Sequence, residues 1–387
     1  MKNWVEISGA RLVENFRATR AVAGNDVETL AVIKADGYGH GATICATVLA
    51  KAGARWLGVT DVEEGAKVRE ALGEGATRVL VMRGGELGDA AALVANGLTP
   101  VMWTVEHVSA MEKAARAAGQ RVCIHLEVDT GMTRQGVTVG DALQKVLERL
   151  AESRWVSCEG VMTHLCCSEV AGAKTTVVAQ KLFAEALAQV AAVGLKPDFV
   201  HIGNTSAVDE GSTMQWVRQQ AKALGARAMV RAGLSLYGYC LPIEIGGGGT
   251  GDARLQPKVK PVLTWKTCVL GVSDVEAGTT VGYGATFVAE RKMRLALLAA
   301  GYADGFRREA SSGLGNGWVM IGGKRASVVG RVSMNLTVVD VSDIEGVAEG
   351  SEALLLGDGV GAEDHARWAG TIPYEILCGI RGTRLLR

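Results

Sequence analysis

The chain has 387 residues, enough for two domains with separate cores. Its 41 Lys and Arg balance 41 Asp and Glu, and 48% of its residues are hydrophobic. A neutral, apolar-rich chain without basic blocks reads as a soluble globular protein whose main partner is neither nucleic acid nor an anionic membrane. Eight cysteines, none in a Cys-x-x-Cys pair and two of them adjacent (Cys166 and Cys167), read as reduced, mostly buried thiols. The first seven residues lack the apolar stretch of a signal peptide, and no run approaches the roughly 20 residues of a membrane span. A cytoplasmic protein without a metal site is the expectation.

Residues 3–7 read as a strand with no helix partner. From residue 30 onward, short apolar runs alternate with amphipathic segments. Strands are predicted at 30–33, 56–59, 79–82, 99–103, 122–128, 160–164, 199–202 and 228–231. Helices are predicted at 42–52, 63–72, 105–118, 139–151 and 175–193. Eight strands separated by helices match a parallel (β/α)8 TIM-like barrel, with an open doubly wound sheet as the alternative. The pattern changes near residue 240, where the glycine run 246–249 and the stretch to Pro257 form a turn-rich connector. Beyond it, strands at 262–270, 279–281, 294–299, 317–321, 325–329, 336–339 and 353–356 imply a mostly β domain with one helix at 363–369. The expected division is a barrel over 10–242 and a β-strand domain over 243–387, with residues 1–9 joining the latter as an extra strand.

In a barrel, chemistry collects where strands end. Lys34 closes the first strand, inside Ala31-Val32-Ile33-Lys34-Ala35-Asp36-Gly37-Tyr38-Gly39-His40-Gly41. Apolar flanks strip water from its stem, which favours the neutral amine needed for a Schiff base. The ordinary alternative is a strand-end lysine reaching solvent beside a turn. Arg83 follows the third strand, Glu127 and Asp129 end the fifth, His164 the sixth, and Arg231 the eighth. Asn204, Thr205 and Ser206 after the seventh, with Gly233, Leu234 and Ser235 after the eighth, offer backbone N–H groups and hydroxyls where barrels hold phosphate. A Schiff-base lysine, a phosphate cup and an arginine for a pyridine nitrogen together suggest pyridoxal 5′-phosphate (PLP), with Arg231 at the nitrogen.

The segments AVIKADGYGHG (31–41), HLEVDTGMTRQGV (125–137), MTH (162–164), NT (204–205), VRAGLSLYG (230–238), VGYGAT (281–286), GYADG (301–305), GRVSM (330–334) and TIPYEILC (371–378) resemble alanine racemases of the fold type III PLP enzymes. The resemblance spans nearly the whole chain. It implies that Lys34 carries PLP and acts as one of two bases, and that Tyr283 is the other. It implies a homodimer in which Tyr283 and Met334 serve the partner's site. Tyr38, Thr205, Gly233, Leu234 and Tyr374 would hold the phosphate, with Asn204 beside them, Arg231 would face the pyridine nitrogen, and His164 would support the cofactor. Arg134 would approach the substrate carboxylate and the phenolic oxygen. Tyr302, Arg308 and Arg331 would line the entry. Without the resemblance, Tyr283 reads as a turn tyrosine, Met334 as core and His164 as a satisfied interior histidine.

An arginine at the ring nitrogen stays cationic and disfavours ring protonation, which weakens the electron sink and limits side reactions. Two positions depart from the family pattern. Glu127 stands where many relatives carry a carbamylated lysine that holds the following arginine, so a charge-assisted bond from Arg134 to Glu127 is expected without CO2. Asn335 replaces a common aspartate after Met334. The implied activity is interconversion of L- and D-alanine for cell-wall synthesis. The alternatives are a racemase of serine or another amino acid, a decarboxylase of basic amino acids, and a PLP-binding protein without activity, against which the β domain and Tyr283 argue.

Overall fold

The computed structural model describes residues 2–73, 75–246 and 248–387, so Gly247 of the expected glycine connector lies outside the described residues. The chain forms two compact units. One comprises residues 11–37 and 42–260; the other comprises 1–10, 38–41 and 261–387.

In the first unit eight parallel strands close on themselves: Glu28–Val32, Trp56–Val59, Arg78–Val81, Thr99–Met102, Val122–Asp129, Val156–Met162, Phe199–His201 and Arg227–Ala232. The last pairs back to the first, Arg231 opposite Leu30, which closes the barrel and excludes the open sheet. Leu30, Leu57, Leu80, Val101, Leu126, Val161, Val200 and Val230 are wholly buried, so these strands read as continuous apolar runs. The outer helices follow a different period. In Asp141–Glu152 the buried residues are Leu143, Val146, Leu147 and Leu150, one stripe at helical spacing. Val105–Ala118 starts where Thr104 Oγ accepts from the His107 N–H and stops at left-handed Gly119.

Several elements differ from expectation. The sixth strand begins at Val156 and ends at Met162, leaving His164 two residues beyond it. Helices Gly9–Ala23, Ala90–Ala95, Thr205–Glu210 and Ser212–Ala223 were not predicted. The segment 243–260 stays with the barrel unit, where Asp209 Oδ1 accepts the backbone N–H of Leu255 and Gln256.

The second unit centres on the 13-residue strand Leu263–Val275. Its first half pairs with Asn3–Ile7 on one side and Glu352–Leu356 on the other. Its second half pairs with Met293–Leu298, with a register shift between Val269 and Gly271. Asn3–Ile7 also pairs in parallel with Thr383–Leu386, a terminal strand absent from the sequence reading, as is helix Pro373–Gly379. Of the eight cysteines only Cys45 and Cys158 are buried, and Cys166 and Cys378 are exposed, so mostly buried thiols is corrected. Among the described residues no helix is long and apolar enough to cross a membrane.

Candidate active site

Within the barrel unit, Ile33 extends the first strand by one bond, its N–H donating to Gly58 O at 2.8 Å, and Lys34 follows, half-buried. The chain then enters a left-handed turn. Ala35, Asp36 and Gly37 have φ/ψ of 54/53°, 53/46° and 64/40°, and Tyr38 has φ 52°. Left-handed backbone costs a non-glycine residue roughly 1–2 kcal/mol, so something must hold Ala35 and Asp36 there. Glu64 does so, accepting the Asp36 N–H at 2.8 Å and the Thr60 N–H at 2.7 Å. The Asp36 side chain accepts the Ala42 N–H at 2.9 Å, and the Gly37 N–H returns to Ile33 O at 2.8 Å. The predicted glycine turn is thus a braced turn that aims the residue preceding it.

Arg231 is the electrostatic centre of this unit. It is 3% exposed and donates from Nη1 to His201 Nδ1 at 3.2 Å. Its Nη2 donates to Thr163 O at 2.8 Å, His164 Nδ1 at 2.9 Å and Ile202 O at 3.3 Å. Its Nε is buried with no hydrogen-bond partner. Burial lowers its pKa to about 10, opposed by the charge of Glu127. His164 is held near a pKa of about 3, first by burial and then by the charges of Arg231, Arg134 and Lys34. Those three cations therefore converge on one neutral imidazole.

Thr205 Oγ accepts the backbone N–H groups of Gly233 at 3.2 Å and Ser235 at 3.3 Å. Thr205 Oγ also lies 3.4 Å from Ser235 Oγ, so this cluster ties the turn after the eighth strand to the helix that follows the seventh. Asn204 is a helix cap, its Oδ1 accepting from the Ala207 N–H at 3.1 Å and from Ser168 Oγ at 2.9 Å. Glu127, Met132, Arg134, Gln135, Thr163 and His164 line one small cavity. Glu127 accepts from Gln135 Nε2 at 2.5 Å. Arg134 acts on it through charge, so the expected direct Arg134–Glu127 bond is corrected. The physical reason is that Gln135, tied also to Met82 O at 2.8 Å, reaches the short glutamate stem first. Arg83 pairs with Asp61 at 3.8 Å on the surface, as an ordinary strand-end arginine does.

In the β unit, Tyr38 and Tyr374 stack obliquely with ring centroids 5.9 Å apart. Burial pushes the Tyr38 hydroxyl far above its usual range, so it stays a donor. A Cβ on Gly39 would overlap the Leu377 carbonyl, which is why this approach requires glycine. Tyr283 opens a short turn and is 71% exposed. A Cβ on Gly284 would stand 3.4 Å from Arg331 Nη1, placing that cation against the Tyr283 turn. The Tyr302 and Ala303 N–H groups donate to Ser333 O and Met334 O at 3.0 and 2.9 Å, which brings Tyr302 beside Met334 and Asn335. Met334 is 56% exposed, and Arg308 and Asn335 are exposed too. Sequence reasoning missed His125 and His201, whose signal was only a histidine within each of two apolar runs.

Burial holds His125, His164 and His201 all below the ordinary histidine range. In the unfolded chain each takes up a proton near pH 6.5, so below that pH the unfolded state binds more protons and stability falls, by about 1.4 kcal/mol per pH unit for each histidine. For His164, held near 3, that slope persists from about pH 6 toward pH 4, and His125 and His201 add in the same direction. Urea midpoints at several pH values measure it; equal midpoints at pH 7.5 and pH 5 contradict it.

Comparison with known proteins agrees over both units. Residues 7–241 match the family model "Alanine racemase, N-terminal domain", and 262–387 match "Alanine racemase, C-terminal domain". The alanine racemase of Symbiobacterium thermophilum is 35% identical, covering 97% of this chain and 94% of its own. The structure of alanine racemase from Streptomyces lavendulae superposes with TM-score 0.86 at 31% identity, covering 100% of this chain and 97% of the other. That from Clostridium difficile gives 0.88 at 26%, with 100% and 96% covered.

Proposed function

The chain belongs to the alanine racemase family, and from that premise we propose that it interconverts L- and D-alanine with PLP, using Lys34 and Tyr283 as its two proton-handling groups. The observation that carries this reading is Arg231. A wholly buried guanidinium keeps one donor, Nε–H, without a partner, beside a neutral histidine and the charge of Lys34. A buried donor left unpaired costs about 1–3 kcal/mol, so the site calls for an acceptor, and an unprotonated pyridine nitrogen is one.

PLP, when bound, supplies a ring that withdraws electrons from the α-carbon of the attached amino acid. Everything else falls to the chain's residues. Lys34 holds the cofactor and exchanges a proton at one face of that carbon. Tyr283, exposed on its turn beside Arg331, serves the opposite face in a second copy of the chain, with Met334 against the substrate. Inverting a carbon with two fixed groups avoids moving one base around the substrate. Arg231 keeps the ring nitrogen unprotonated, and His164, neutral at working pH, adds no competing proton. Thr205, Gly233 and Leu234 hold the phosphate from the barrel unit. Tyr38 and Tyr374 are assigned to the phosphate by resemblance, as Tyr302 and Arg308 are to the entry. Arg134 takes the substrate carboxylate. D-alanine made in the cytoplasm feeds cell-wall synthesis.

Incubation with L-alanine, L-serine and L-lysine in heavy water tests the reading. Racemised alanine carrying α-deuterium is the expected product. Equal turnover of serine identifies a broader racemase, and CO2 release from lysine identifies a decarboxylase. Because Glu127 carries its own carboxylate, stripping CO2 and bicarbonate from the buffer is expected to leave kcat unchanged within about twofold. Restoration of a lost activity by added bicarbonate would contradict that role for Glu127.

A further inference from the structure

Arg231 is also the end of a polar chain inside the barrel that the proposed reaction does not use. His201 Nδ1 receives Arg231 Nη1 at 3.2 Å, and His201 Nε2 lies 3.0 Å from His125 Nδ1. His125 Nε2 lies 3.6 Å from Glu159 Oε2, just beyond hydrogen-bond distance, and neither of these buried atoms has a hydrogen-bond partner. The other carboxylate oxygen, Glu159 Oε1, is paired with Arg78. The path crosses the eighth, seventh, fifth, sixth and third strands and ends at Arg78, the first residue of its strand. Both histidines are wholly buried and the Glu159 side chain is 9% exposed. The space is built for them: a Cβ on Gly160 would stand 2.6 Å from His125 Nδ1. Trp56 packs on the His125 ring, centroids 5.2 Å apart, and carries Arg78 over its own face.

Hydrogen-bond chemistry allows this chain one direction. Arginine only donates, so His201 Nδ1 accepts and its proton sits on Nε2. That proton goes to His125 Nδ1, which leaves the His125 proton on Nε2, facing Glu159. We propose that Glu159 is a positioning residue: as the terminal acceptor it pins both histidines as neutral Nε2–H tautomers and thereby orients the Arg231 guanidinium that meets the cofactor. The inference rests on the racemase reading for its consequence, though the tautomer assignment does not. Without that acceptor the pair can reverse only by turning a His201 N–H onto Arg231, two donors head-on. Burial lowers the pKa of both histidines, in keeping with neutral rings.

The test is 15N-histidine spectroscopy of the PLP-loaded protein, tractable because the chain has six histidines. In the unaltered protein His125 and His201 are expected as Nε2–H tautomers from about pH 6 to 8. Either ring as Nδ1–H or as imidazolium overturns the proposal, whether or not any variant folds. In Glu159→Gln, Arg78 claims the amide oxygen and turns the NH2 toward His125. Mixed tautomers and a kcat reduced about tenfold, with KM for alanine held within about twofold, are expected. Unchanged tautomers and kcat in folded, PLP-loaded Glu159→Gln overturn it equally. An unaltered protein that loads PLP but fails to racemise alanine refutes the activity instead, and the spectrum still decides the relay.

Discussion

Lys34→Ala is expected to remove the absorbance of lysine-bound PLP and to lower racemisation by about 10⁴-fold or more. Both losses come from one atom, because Lys34 Nζ is assigned both roles. The half-buried lysine stands at the mouth of the first strand, ahead of a turn whose left-handed residues are braced through Glu64 and Asp36. The left-handed backbone held by that bracing costs conformational energy that an ordinary surface loop has no reason to bear. Lys34→Arg is the companion measurement. It keeps a cation beside His164 but cannot become a neutral nucleophile, so it is expected to be as inactive as the alanine variant. Substantial racemisation by either variant would remove Lys34 from the reaction.

Tyr283→Phe is expected to spare the lysine-bound absorbance and lower racemisation by about 10²–10⁴-fold, the usual scale of one general acid–base group. L- and D-alanine have equal free energy in water, so kcat/KM remains equal in the two directions whatever the variant. The asymmetry shows in isotope exchange. One enantiomer, whose α-proton faces Lys34, should still exchange with heavy water without inverting; the other should stop exchanging. Within its own chain Tyr283 is 71% exposed on its turn, so loss of packing there does not account for such a split. If both enantiomers exchange at equal, undiminished rates, Tyr283 is not a base.

Helix Gly9–Ala23 escaped notice because two of its buried positions, Asn15 and Thr19, are polar. Asn15 Nδ2 donates to Leu236 O at 3.0 Å and Lys260 O at 2.8 Å, partners more than two hundred residues away. An apolar-stripe rule cannot recognise such a face. Helix Val105–Ala118, with apolar buried positions and local caps at both ends, was predicted to the residue. Arg134 and Glu127 met a related failure, since the competitor for the carboxylate, Gln135, was visible in sequence but its second bond to Met82 was not.

The barrel, the trailing β region and the strand-end positions of Lys34, His164 and Arg231, give or take two residues, are legible from residue pattern alone. Those follow from period and local turn chemistry, which neighbouring residues carry between them. The left-handed turn from Ala35 to Tyr38 and the unpaired Nε of Arg231 follow instead from contacts between distant segments. So does the chain of histidines that runs from Arg231 to Glu159. Each depends on which side chains from distant strands meet in a dry interior. There an unmade hydrogen bond is expensive enough to choose a tautomer, and no local pattern records that choice.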